Sequence, residues 1–249
     1  MCFGGERELC FMKLIGADGC KRGWFAVVFD KNISWGVEIF ETIDSMWEHH
    51  HDASLILLDI PIGLPFSNRR ECDMMARRLL KSPRASSVFP VPCRSAVYAE
   101  KYENACAENR KFLGVGLSIQ SWCISKKIRE VDEFLGRTTE AREIIRESHP
   151  EMCFWAFAGG RAMAESKKKR EGQKERLDIL TEIYPGAKEI CDKALEDYKR
   201  KDVSVDDILD SLVLAVTASE PQHQLSTIPP TPPKDKKGLR MEIVFSIKS

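Results

Sequence analysis

The chain has 249 residues, with 38 Lys+Arg set against 38 Asp+Glu, so no overall field draws it to a polyanion and any nucleic-acid contact must rest on local patches. Hydrophobic residues make up 43% and charged residues 31%, the make-up of an ordinary globular chain long enough to bury a substantial core. No apolar run nears the roughly 18 residues that cross a bilayer. Residues 1–7 lack a basic segment followed by an apolar one, so neither a membrane span nor a secretory leader is expected.

Regular structure is expected from Lys13, with residues 1–11 an unstructured extension and Met12 the functional start. Lys13–Ala17 is a short apolar run ended by Asp18-Gly19. Trp24–Phe29 and Ile33–Phe40 are two more, separated by the turn formers Asp30-Lys31-Asn32. Three such strands joined by short turns predict an antiparallel meander. Ile43, Met46 and Trp47 then recur at helical spacing. The run His49-His50-His51-Asp52 reads as the solvated end of that helix, because neighbouring helical positions point in different directions and partial positive charge suits a helix C-terminus.

Leu55–Leu58, followed by Asp59, is continuously apolar, as a strand covered on both faces should be. Pro61, Gly63 and Pro65 stop it. A helix is predicted over 69–80, then an irregular segment over 82–95 and helical patterning over 117–134. Ala141–Ser148 is expected as the last central strand. Helices are expected over 152–165, 175–183, 187–198 and 205–219. The prolines at 229, 230, 232 and 233 predict a stiff extended connector, and Met241–Ile247 an edge strand.

This order predicts an α/β fold: a ribonuclease-H-like mixed five-stranded sheet with helices on both faces. It would form one domain over 12–249 with a helical insertion at about 66–138. A dinucleotide fold would call for G-x-G-x-x-G after the first strand, which is absent. The nine cysteines are odd in number, widely spread and without a C-x-x-C pair. That argues against a disulfide framework or a cysteine zinc site and for a reducing, cytoplasmic home.

Asp18 and Asp59 end strands that this topology makes parallel neighbours, about 4.8 Å apart. Their carboxylates would emerge together at the carboxyl edge, where open α/β sheets bind ligands. Like charges so close repel unless a cation sits between them, and an all-oxygen site suits Mg²⁺ or Mn²⁺. Asp207 and Asp210, three apart on one helical face, would complete the cluster, with Glu147 a further member. Such a group can hold two ions that activate water and stabilise a leaving phosphodiester oxygen. Each acid also has a plain structural role available, as turn residue, strand stop or helix cap.

Two basic stretches, 69–84 and 167–176, each carry a net charge of +4. Arg77, Arg78 and Arg94 flank a proline-rich segment around Phe89. With Lys168, Lys169 and Arg176 they are candidate phosphate contacts, although solvated helix faces look the same.

The motifs Gly16-Ala17-Asp18-Gly19-Cys20-Lys21-x-Gly23-Trp24 and Asp59-Ile60-Pro61-Ile62-Gly63-Leu64-Pro65 resemble those of the domain of unknown function 429 family. So do Ser86-Ser87-Val88-Phe89-Pro90-x-Pro92-x-Arg94, Glu147-Ser148-His149-Pro150-Glu151 and Asp206-Asp207-x-x-Asp210-Ser211-Leu212. The likeness runs from about residue 13 to 247. It implies a ribonuclease-H-like fold and a nuclease role, with Asp18, Asp59, Glu147, Asp207 and Asp210 as the acidic set. The leading expectation is a Mg²⁺- or Mn²⁺-dependent phosphodiesterase acting on nucleic acid or nucleotides. The alternatives are an actin-like ATP-dependent phosphotransferase, since Asp18-Gly19-x-x-x-Gly23 resembles a phosphate-binding hairpin, and a non-catalytic scaffold.

Overall fold

Eight residues of β1 (Lys13–Cys20) pair antiparallel with β2 (Gly23–Asp30) through to Cys20 opposite Gly23. The first strand therefore runs two residues past Asp18 instead of ending there. Gly23 makes the tight return, with φ of 131° and an added Cβ only 2.1 Å from the Phe40 carbonyl oxygen. The computed structural model describes residues 13–30 and 34–247, so the expected extension and start at Met12 lie outside the described residues. β3 (Ser34–Phe40) completes the meander.

α1 (Ile43–His50), capped by Thr42, leads to β4 (Leu55–Leu58), which pairs parallel with β1. The histidine run is only partly a solvated end, because His50 is buried with Nε2 3.3 Å from Glu38 Oε2. The chain then forms α2 (Glu71–Arg84), α3 (Arg94–Val97), α4 (Tyr102–Leu113) and α5 (Ile119–Arg137) before β5 (Ile145–Glu147). α2 breaks at Lys81 (φ 53°) and extended Ser82, at the expected end of the helix. α4 carries no strong pattern because it buries only Ala105, Cys106 and Asn109.

The sheet order is β3-β2-β1-β4-β5, mixed, with β5 parallel to β4. The fold is α/β, as expected. The strand expected over 141–148 is three residues long and closes the sheet order, Glu140–Arg142 being a 3-10 turn. Beyond it lie α6 (Pro150–Phe157), α7 (Arg170–Ile183), α8 (Ala187–Asp197) and α9 (Val205–Ser219). α6 stops well short of Glu165 because Gly159 and Gly160 take positive φ.

β6 (Leu225–Ile228) and β7 (Ile243–Ser246) form a separate two-stranded sheet. β7 is thus not an edge of the main sheet, although Val244 bridges to Ser148. The proline run is the outgoing limb of a loop that returns through a Lys234–Arg240 bridge, rather than a free connector. Among the described residues no helix is long and apolar enough to cross a membrane.

Alternation along the strands divides the core. Phe25, Val27 and Leu57 pack against α2, α6, α7, α8 and α9, while Ile15, Ala17, Ile56 and Leu58 pack against α1 and α5. α9 lies directly on β1: a Cβ on Gly16 would stand 2.1 Å from the Ala215 nitrogen and 2.3 Å from the Ser211 oxygen. Only hydrogen at that position lets the helix come so close. Ser211 Oγ also donates to the Phe25 carbonyl at 2.9 Å.

Candidate functional site

β1 carries Asp18 one residue beyond the last β1–β4 pair, Ala17 opposite Leu58, and the Asp59 amide donates to the Ala17 carbonyl at 3.0 Å. The two carboxylates thus leave adjacent parallel strands at one edge. α9 brings the third. Ser204 and Asp207 form a capping box at its start, and Asp210 follows one turn later, held over β1 by the Gly16 gap. One carboxylate oxygen each from Asp18, Asp59 and Asp210 lie within 4.8 Å of one another. Asp210 is buried and the other two half-buried. Asp18 and Asp59 line a cleft of about 320 Å³.

Burial and mutual repulsion both act against ionising this group. Asp18 is raised well above the usual carboxylate range, by burial first and then by Asp59 and Asp210. Asp59 is raised by burial, with His149 and Lys167 opposing. Asp210 is pushed up to about 6 by burial, against the pull of Lys167. The Lys167 ammonium itself donates to Asp210 Oδ2. Burial alone would lower Lys167, but Asp210, Asp18 and Asp59 together hold it above its ordinary value.

The structure divides the rest of the expected acidic set. Asp207 lines the cleft, but its Oδ2 accepts the Ser204 amide at 2.8 Å, so it serves the helix start. Glu147 borders the cleft outside the triad. It accepts from Arg70 at 2.5 and 2.8 Å and from the Ile62 amide at 2.7 Å. Burial raises it to about 8, opposed by that guanidinium. Arg70, wholly buried, also grips Asp73 at 2.7 Å. Glu147 and Arg70 fasten the segment after β4 to β5.

The expected phosphate contacts divide likewise. Arg78, Lys168 and Lys169 are exposed, Lys169 pairing with Glu165 four positions back at 3.2 Å. Arg77 donates to the Val88 carbonyl at 2.5 Å, pinning the segment whose Ser87, Val88, Phe89 and Val91 wall the cleft. Arg94 is engaged by Asp132 and Asp235. Arg176 is fully buried, bound to Glu151 and to the carbonyls of Glu165 and Gly172. Arg176 is thus a structural tie closed off from solvent, while Arg94 stays partly exposed between its two acids.

Sequence reasoning counted Lys167, the first of three identical neighbours, only within the basic stretch 167–176 and assigned no role to Glu151. Glu151 lines the cleft, is 5% exposed, and has one carboxylate oxygen without a partner. The only sequence signal for it was its place in the Glu147–Glu151 motif.

Residues 16–234 match the family model described as "Protein of unknown function (DUF429)". No curated protein and no solved structure matches the chain.

Proposed function

The chain belongs to this DUF429 family, and on that footing we propose that it is a divalent-metal-dependent phosphodiester hydrolase of the ribonuclease-H-like kind. The strand order β3-β2-β1-β4-β5, with β2 antiparallel, supports that fold assignment. The observation that carries the function is the convergence of Asp18, Asp59 and Asp210 from two parallel strands and a helix.

The three carboxylates fit a hard cation. Their donors are all oxygen, and burial and mutual repulsion raise all three carboxyl groups, an arrangement that a bound cation would relieve. Bound there, Mg²⁺ or Mn²⁺ would polarise a phosphoryl oxygen and lower the pKa of water. Three carboxylates and the Lys167 ammonium leave two negative charges, which one divalent ion cancels. We therefore assign Lys167 the place of a second cation, able to stabilise charge on a transferring phosphoryl group. Exposed Lys168 and Lys169 would follow the backbone of a nucleic-acid substrate.

The experiment is a titration of Mg²⁺ and Mn²⁺ into wild type, Asp18→Asn and Asp59→Asn, followed by hydrolysis of single-stranded DNA, duplex DNA and RNA. Wild type should bind one ion and cleave, and both variants should lose the two together. Failure of wild type to bind either ion would remove the reading. Stabilisation by ATP without hydrolysis of any strand would favour a phosphotransferase.

A further inference from the structure

A second hollow lies where the segment after Asp59 leads. Pro61 lines the carboxylate cleft, while Pro65 and Phe66 line a separate cavity of about 390 Å³. Four residues of chain span at most about 14 Å, so Pro61 of one lining and Pro65 of the other stand no farther apart than that. The walls of the second are Phe66, Phe112, Tyr98 and Pro65, with Arg94, Lys236 and Lys237 beside them.

The aromatic wall is presented to solvent. Phe66 is 50% exposed, its ring centroid 5.2 Å from that of Phe112 and tilted 44°. Lys236 Nζ stands 3.1 Å from the Phe66 centroid, and Lys111 Nζ 5.1 Å from that of Phe112. The far wall is held firmly. The Tyr98 hydroxyl donates to Asp132 Oδ2 at 2.7 Å, Lys237 to the same oxygen at 2.6 Å, and Arg94 to both Asp132 and Asp235. Those acids are consumed internally, so the rim that faces solvent is left positive through Lys236 and Lys111.

We propose that this hollow is a stacking subsite for a base of single-stranded nucleic acid, with Phe66 as the platform and Lys236 as the contact to the adjoining phosphate. The inference rests on the hydrolase reading and names its substrate class. A flat π-system carrying an anion matches both halves of the site, apolar rings within and ammonium groups at the edge. A purely apolar peptide would satisfy the rings and leave the ammonium groups at the edge unused. The exposed cation–π contact of Lys236 on Phe66 is weak, and exchange for a phosphate oxygen frees the ring face for the base.

The test compares binding of a short oligothymidylate with that of an abasic strand of the same length and charge, in Ca²⁺ and at fixed salt. Wild type should prefer the oligothymidylate by roughly 5- to 150-fold, the range for one stacked base. Phe66→Leu keeps the apolar bulk and removes the ring, and should abolish the preference. Lys236→Gln should weaken both strands alike and flatten the salt dependence by about one phosphate's worth. Equal binding of both strands by wild type, or an unchanged preference in Phe66→Leu, would overturn the proposal and leave an apolar docking face. Asp59→Asn should retain the preference. A wild type that keeps the preference but cleaves nothing with any metal would refute the hydrolase and leave the subsite standing.

Discussion

Lys167 donates to Asp210 within a group of three carboxylates, so the site carries a covalently attached cation in reach of all three acids. Replacing Lys167 with Met should destabilise the metal-free protein by about 1–2 kcal/mol. That is less than the loss for a fully buried pair, because a third of the lysine side chain remains in solvent. The same variant should bind Mg²⁺ more tightly, having one more uncompensated negative charge. Denaturant melts and calorimetry read the two effects. Unchanged stability would make Lys167 a solvated bystander.

The pH dependence follows from Asp210, raised to about 6 in the fold from an ordinary 3.8. A raised carboxyl binds its proton more tightly in the folded state. Its stabilisation is therefore complete below about pH 4 and is lost as pH rises through about 6. The loss is on the order of 3 kcal/mol for a shift of this size. The wild-type profile minus that of Asp210→Asn, both without metal, should show this decline between pH 4 and 6. A flat difference would mean that Asp210 is not perturbed.

Glu147 separates a structural acid from a metal-binding one. Glu147→Gln sets an amide NH₂ against donors that Glu147 accepts from, Arg70 and the Ile62 amide, and should lower stability by about 1–3 kcal/mol while changing Mg²⁺ affinity little. A large fall in affinity at intact stability would move Glu147 into the metal site.

Much of this arrangement is readable from local pattern. Asp18 and Asp59 stand where apolar runs meet turn formers, and Asp207 and Asp210 share a helical face by spacing alone. The partners of charged groups are not readable in that way. Arg176 and Lys168 look alike in a basic stretch, yet one is buried against Glu151 and the other faces water. Lys167 sits in an aperiodic stretch between two helices, and only tertiary packing selects it from its identical neighbours. Similarly, the short β5 and the hairpin course of the proline segment depend on pairing with β4 and across the Lys234–Arg240 bridge, contacts that no local window contains.

Gly16 should tolerate no side chain. Its Cβ would meet the backbone of α9 rather than a movable side chain, so Gly16→Ala must push the helix off the strand. A loss of roughly 3 kcal/mol or more is expected, with Mg²⁺ affinity falling as Asp210 moves away from Asp18. Circular dichroism melts and metal titration check this, and a fully stable variant would contradict the observed packing.

The same closeness of α9 to β1 sets an order on synthesis. A ribosome releases Asp18 and Asp59 well before Asp210, and until α9 emerges the Gly16 side of the sheet, with Phe25, Val27 and Leu57 around it, has lost a main cover. A nascent chain at that stage displays apolar strand surface for chaperones to hold. It also carries two of the three carboxylates with nothing to bring the third against them. The cluster closes only when α9 docks, so translation intermediates and products truncated before that helix carry two of its carboxylates without the third.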